Sequence, residues 1–284
     1  MDKKGMLYLC ATPIGNLEDI TLRVLRVLKE VDLIAAEDTR QTLKLLNHFQ
    51  INKPLISYYE HNKSERGKYI VEQILQGKNV ALVSDAGTPG ISDPGEDLVR
   101  LCIERDITVS ALPGPVAAIT GLILSGMPTG RFCFEGFLSV NKRNRREHLE
   151  QIKNDPRTLI FYEAPHKLLN TLEDMYSILG NRKIALAREL TKKFEEVIRC
   201  SLEEAINRFK QSMPKGEFVL IVEGADPRRL EKQKHQEWMN MSISDHIYLY
   251  TSQGIDEKEA LKKVAKDRGI SKREVYALNL KNKK

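Results

Sequence analysis

The chain reads as an α/β protein of two domains with a helical C-terminal extension, on three observations. Apolar strand-like runs alternate with helix-spaced segments over the first 126 residues, the pattern of a parallel, helix-covered sheet. A smaller strand-and-helix set follows Met127-Pro128-Thr129-Gly130, where Pro and Gly punctuate the pattern. After Gly224 the composition turns polar and then regains helical spacing. The expected divisions are residues 1–126, 127–224 and 225–284.

In the first division, strands are expected at Met6 to Cys10, Leu33 to Ala36, Leu55 to Tyr58, Asn79 to Ser84 and Ile107 to Leu112. Helices fall near Thr21 to Glu30, Thr39 to Phe49, Ser64 to Gln76, Gly95 to Glu104 and Pro115 to Leu124. In the second, strands fall near Arg131 to Phe134, Thr158 to Tyr162, Ile184 to Arg188, Glu195 to Arg199 and Phe218 to Val222, with helices near Arg145 to Lys153, His166 to Leu179 and Leu202 to Lys210. The closely spaced strands around Leu190 to Lys193 suggest a hairpin and hence a mixed sheet. The stretch from Asp226 to Trp238 reads as a polar connector. Helical spacing returns at Asp245 to Tyr250 and from Glu257 to Leu280, where Gly269 makes a turn and Ser271 with Glu274 a capping box. This resembles a helix-turn-helix; a plain helical hairpin fits the pattern equally well.

The loop Ser84 to Gly95 carries three glycines, two prolines and two aspartates between a buried strand and a helix. That is long for a strand-to-helix connection. At the carboxyl end of a strand in an open sheet it lies where small ligands bind. Ala11 to Asn16 and Pro113 to Pro115 are turn-rich loops at other strand ends, and in a parallel sheet all three converge on one edge.

Charged residues are 30% and hydrophobic ones 41% of the 284 residues, an ordinary globular composition. No apolar run approaches the ~20 residues of a membrane span, and the N-terminus leads into a strand without a signal-peptide core, so the expected location is cytoplasmic. Cys10, Cys102, Cys133 and Cys200 are widely spaced, and the six histidines lack zinc-ligand spacing, so no metal is expected. Phosphate-loop, dinucleotide, zincin and hydrolase-elbow motifs are absent. The net charge is +6, and between Asp226 and Lys284 stand 14 Lys and Arg against 9 Asp and Glu. With the basic run Lys142-Arg143-Asn144-Arg145-Arg146, this points toward a polyanionic partner, most simply nucleic acid.

Six motifs in order carry a specific resemblance: Leu7 to Thr21, Ala36 to Arg40, Ser84 to Gly95, Leu112 to Pro115, Phe161 to Lys167 and Arg188 to Lys192. Together they resemble the tetrapyrrole-methylase superfamily. Within it they resemble the branch that methylates a cytidine 2′-oxygen in small-subunit (16S) ribosomal RNA. The resemblance implies two α/β domains of that type, usually a homodimer, with S-adenosylmethionine as methyl donor in the cleft between them and small-subunit ribosomal RNA, free or as an assembled subunit, as substrate. By motif, the implied donor contacts are Leu9, Pro13, Asp85, Gly87, Thr88, Ile91, Pro113, Gly114, Val116, Tyr162 and Ala187.

Methyl transfer to a ribose hydroxyl gains from alignment and from a positioned base. The candidate bases are Glu37, Asp38, Glu163, His166 and Glu189, which sequence alone does not separate. Arg40, His61, Lys142, Arg143, Arg145, Arg146 and Lys192 are the candidate phosphate contacts. Two other readings stand beside this one: methylation of a small tetrapyrrole carbon, since the fold is shared, and a non-catalytic RNA or ribosome-assembly binder.

Overall fold

The computed structural model describes residues 4–281. The chain forms two compact units, one running to Ile152 and resuming over Arg157–Glu223, the other made of Lys153–Pro156 and the chain from Gly224 onward.

The first unit contains two five-stranded sheets. In the first, β1 (Met6–Cys10), β2 (Leu33–Ala36), β3 (Leu55–Ser57), β4 (Val80–Val83) and β5 (Thr108–Leu112) are all parallel, in the order β3-β2-β4-β1-β5. The period-2 alternation of a strand sends successive side chains to opposite faces. Cys10, Ile34, Ala36, Ala81 and Val83 therefore meet Val24, Leu28 and Leu46 of α1 (Leu22–Glu30) and α2 (Thr39–His48). Leu7, Ala35, Val80 and Leu82 meet Ile70, Ile74, Leu98 and Cys102 of α3 (Lys63–Leu75) and α4 (Gly95–Ile103) on the other side. With apolar cover on both faces, β4 is buried at every position, which is why it reads as one continuous apolar run.

The second sheet has the order β6-β7-β10-β8-β9, from β6 (Phe132–Phe137), β7 (Thr158–Glu163), β8 (Lys183–Arg188), β9 (Glu196–Ser201) and β10 (Phe218–Val222). Only β6 and β7 are parallel, and β8 and β9 form the expected antiparallel pair. Helices α6 (Lys142–Ile152), α7 (Pro165–Leu179) and α8 (Leu202–Gln211) cover one face. The other face is taken by α5 (Ala117–Ser125), whose Ala118 and Leu122 pack on Ile160, Ala185, Val219 and Ile221. The fit is close: a Cβ at Gly121 would lie 3.1 Å from Val219 Cγ1. The helix that ends the first strand-and-helix series thus serves the second sheet, and ties the two sheets into one body.

The second unit is helical: α9 (Pro227–Asn240), α10 (Ile243–Thr251), α11 (Glu257–Arg268) and α12 (Lys272–Lys281). The polar connector expected from Asp226 to Trp238 is corrected here to a helix. Asp226 accepts from Arg228 N at 2.9 Å as its N-cap, and Pro227 sits in the first turn, where a missing N–H does no harm. Gly269, at φ +64°, ends α11 in the left-handed conformation that glycine tolerates. Ser271 and Glu274 exchange the capping-box bonds at 3.2 and 2.8 Å. Ile243, Ile247, Ala260, Leu261, Val264 and Val275 form this unit's core.

Candidate functional site

The three turn-rich loops leave the ends of β4, β1 and β5, which are neighbours in the sheet, so parallel topology alone brings them together. Their contacts are specific. Thr12 and Gly87 pair as an isolated bridge, Thr12 N to Gly87 O at 2.9 Å and Gly87 N to Thr12 O at 3.0 Å. Thr12 Oγ1 donates to Ser84 O at 3.2 Å, and Thr88 Oγ1 to Pro115 O at 3.0 Å. Gly87 holds φ +84°, and a Cβ there would sit 3.2 Å from Ile14 Cγ2. A Cβ at Gly114 would overlap Ala11 Cβ at 2.4 Å. Both glycines are required by close approach between loops.

Asp93 organises the middle loop. Its carboxylate accepts from Gly90 N at 2.8 Å, Ile91 N at 3.2 Å and Gly95 N at 2.8 Å. The sequence reading gave it no role, although an Asp two residues before a helix-opening glycine is a recognisable side-chain-to-backbone turn. Asp85 reaches sideways: its Oδ1 accepts from Asp38 N at 2.9 Å, fixing the end of β2 to the end of β4. Glu37 Oε2 lies 3.4 Å from Asp85 N. Burial, then the Asp85 and Asp93 charges, push the Glu37 carboxyl above its ordinary range. The edge carries three neighbouring carboxylates, which suits a cationic ligand.

The remaining implied donor contacts approach from three sides. Leu9 and Pro13 flank the end of β1, Pro113 and Val116 the end of β5, and Val116 is the N-cap residue of α5. From the second sheet, Tyr162 Oη accepts from Ala118 N at 3.1 Å, and its ring lies edge-on to Phe134 at 5.0 Å. Ala187 is buried in β8 between Val219 and Val197. The turn between β8 and β9 closes onto the first loop: a Cβ at Gly15 would fall 2.4 Å from Lys192 Cγ and 3.0 Å from Leu190 O. This turn is strained, with Glu189 at φ +50° and Thr191, a β-branched residue, at φ +65°. Neither residue type signals that strain.

The five candidate bases are not equivalent. Asp38 is the N-cap of α2, accepts from Arg40 N at 2.8 Å and pairs with the Arg40 side chain at 2.9 Å, which holds its carboxyl below the usual range. Glu163 is buried and accepts from Ala164 N at 2.9 Å and Thr171 Oγ1 at 2.6 Å, bracing β7 to α7. Glu189 Oε1 accepts from Glu217 N at 2.9 Å and Lys192 Nζ at 3.0 Å; the Glu217 N–H first, then Lys192, hold it low. His166 is exposed in the first turn of α7. Glu37 alone combines a raised carboxyl with a place beside Asp85.

Among the candidate phosphate contacts, Arg145 is corrected. It is buried, with Nε and Nη2 on Asp174 Oδ2 at 2.8 and 2.6 Å and Nη1 on Ser139 O at 3.1 Å, so its guanidinium is spent inside the fold. Arg146 reaches the other Asp174 oxygen at 2.8 Å but stays partly exposed. Lys142, Arg143 and Arg146 line an open depression of about 740 Å³ with Glu147 and Glu150. Lys192 is tied to Glu189 and Glu217. Arg40 is exposed in the first turn of α2, and His61 in the turn between β3 and α3. Among the described residues, no group of three or more His, Cys, Asp or Glu side chains is placed to hold a metal ion.

Known proteins resemble this chain in sequence and in fold. The family model of tetrapyrrole (corrin/porphyrin) methylases matches residues 6–206. Ribosomal RNA small subunit methyltransferase I of Halalkalibacterium halodurans is 53% identical over 97% of this chain and 94% of its own. The protein of the same name from Bacillus subtilis is 49% identical over 96% and 93%. Uroporphyrin-III C-methyltransferase from Thermus thermophilus, solved with S-adenosyl homocysteine, is only 19% identical, yet superposes with a TM-score of 0.54 over 80% of this chain and all of that one, which shows the shared fold. The chain belongs to the tetrapyrrole methylases and, within them, to the ribosomal RNA small subunit methyltransferase I family.

Proposed function

We propose that this protein transfers the methyl group of S-adenosylmethionine to the 2′-oxygen of a cytidine ribose in small-subunit ribosomal RNA. The observation that carries the reading is 53% identity, over nearly the whole chain, to a relative named ribosomal RNA small subunit methyltransferase I, in a fold whose three strand-end loops meet at one sheet edge. The donor supplies an activated methyl on a sulfonium sulfur. Its net positive charge agrees with an edge lined by Glu37, Asp85 and Asp93. Backbone groups of Gly87 to Ile91 and of Pro113 to Val116, with Leu9 and Pro13, would hold it, while Tyr162 and Ala187 close the site from the second sheet. Such close backbone approach is what Gly87 and Gly114 permit.

The chain's contribution to the reaction is chiefly orientation, worth several kcal/mol when the attacking oxygen is held about 3 Å from the methyl carbon. Glu37 is the residue proposed to take the hydroxyl proton. Its carboxyl is raised by burial and by Asp85, and a base of raised pKa is the better match to neutral pH. Asp85 holds the Asp38 backbone and thereby the start of α2, which presents Arg40 toward the RNA phosphates. His61, Lys142, Arg143 and Arg146 extend that basic surface, and Lys192 contributes to it after release from its carboxylate partners. A homodimer working in the cytoplasm, with divisions near residues 126 and 224, completes the proposal.

The test is transfer of labelled methyl from S-adenosylmethionine to isolated small ribosomal subunits and to naked RNA. Label in an alkali-resistant dinucleotide places it on a ribose 2′-oxygen. Label in a base, or transfer to a small tetrapyrrole instead, contradicts the proposal.

A further inference from the structure

We infer that Tyr59 and His61, at the end of β3, form a stacking platform for an unpaired base of the RNA substrate. The inference rests on the proposed RNA reading and adds a site to it.

The platform is built into the same sheet edge as the donor loops. Tyr58 N donates to Ala36 O at 2.8 Å just past the two strand ends, after which one segment passes through Glu37 and Asp38 into α2 with Arg40 and the other turns through Tyr59, Glu60 and His61. Tyr58 points inward, fully buried, and its hydroxyl donates to Pro94 O at 3.0 Å. This bond anchors the end of β3 to the loop that carries Asp85 to Asp93. The chain bends at the next residue, leaving Tyr59 40% exposed. Asn62 locks the bend: its Oδ1 accepts from Tyr59 N at 2.8 Å, and its Nδ2 donates to Ser57 O at 3.3 Å. The His61 ring stands edge-on to Tyr59, with centroids 6.3 Å apart at 80°. Glu60, between them, is paired to Lys63 at 2.7 Å, which offsets its repulsion of phosphate.

Beyond His61 the surface opens into a depression of about 510 Å³, lined by Asn62, Lys68 and the half-exposed Tyr69, with Glu65 and Glu72 at its sides. A lysine and a second aromatic ring next to the first pair repeat the elements that bind single-stranded nucleic acid: rings for bases and cations for phosphates. Tyr59 and His61 stand exposed on a bend that Asn62 holds tightly, and Tyr69 of α3 adds a second exposed tyrosine ring. A base held on Tyr59, with its neighbouring phosphate near Arg40, would place a ribose at the Glu37 and Asp85 edge.

The test uses the full-length protein and a single-stranded oligoribonucleotide carrying 2-aminopurine, a base whose fluorescence is quenched by stacking. Wild type and Tyr59→Phe are expected to quench it equally. Tyr59→Ala should lose the quenching and bind about tenfold more weakly, as stacking energies imply, with an unchanged salt slope and unchanged binding of S-adenosylhomocysteine. Arg40→Ala should do the reverse, keeping the quenching and flattening the salt slope. Wild-type affinity and quenching in Tyr59→Ala overturn the platform. Methyl transfer by the wild type to small subunits checks the reading beneath it: its absence removes that reading, whereas normal transfer with an unaffected Tyr59→Ala removes the platform alone.

Discussion

At the scale of single residues, the site depends on a few positions whose chemistry cannot be exchanged. Gly87 combines φ +84° with a neighbour 3.2 Å from any added Cβ, so Gly87→Val strains the bridge to Thr12. Calorimetry with S-adenosylhomocysteine is expected to show affinity reduced more than tenfold while near-native circular dichroism persists; wild-type affinity would remove the loop from the donor site. Glu37→Gln should lower kcat by about 10²- to 10⁴-fold, the usual worth of a positioned base, with a far smaller loss of donor affinity. Because a base acts ionised and the Glu37 carboxyl is raised, the wild-type rate should fall as pH drops through a value above the ordinary carboxylate range. A pH-independent rate there, or an active Glu37→Gln, excludes it. Asp174→Asn strands the buried Arg145 and should destabilise the first unit by about 3 to 5 kcal/mol in denaturant titrations. Arg145 also marks a limit of sequence reading. In a run of basic residues it looks like its neighbours, and only the fold reveals that one of them turns inward toward an aspartate on another helix.

At the scale of elements, strands and loops were more legible than helices of uniform polarity. The apolar runs of β4 and β10, and the Gly and Pro of the donor loops, announce themselves because burial and backbone geometry each leave a residue signature. α9 has no apolar stripe to announce it and so reads as a connector, although Asp226 caps it and Pro227 opens its first turn. The strained turn after β8 is equally silent, since Glu189 and Thr191 are ordinary residues that take positive φ in a turn packed close to the first loop. In the helical unit, His246 is fully buried, stacked between Trp238 at 5.3 Å and Tyr250 at 5.7 Å, with Arg268 Nε donating to its Nδ1 and Asp267 3.4 Å from its Nε2. Burial first, then Arg268, hold its pKa below the ordinary value, against the pull of Asp267. The unfolded chain therefore binds a proton that the folded one refuses, and stability is lost as pH falls below about 6.5. Trp238 is the only tryptophan, so its fluorescence reports this unit directly. Its melting midpoint should fall between pH 7.5 and pH 5.5, roughly one unit either side of the free imidazole value; a flat midpoint contradicts the reading.

At the scale of the whole molecule, the parallel sheet brings three loops to one edge, and α5 joins that sheet to a second one carrying Tyr162 and Ala187. Strand order and the two-sheet plan followed from alternation and turn residues, but the seating of α5 on the second sheet did not, because its apolar residues run all the way around and give no facing direction. Removing residues 224–284 should weaken RNA binding and flatten its salt dependence if the basic helical unit meets phosphate, while donor binding stays intact. The central claim is that this edge delivers a methyl group to ribosomal RNA. Its most direct measurement is incorporation of labelled methyl from S-adenosylmethionine into small ribosomal subunits, followed by mapping of the modified nucleotide. The account predicts label on a single cytidine, at the 2′-oxygen, lost in Glu37→Gln; donor binding without any label in RNA would contradict it.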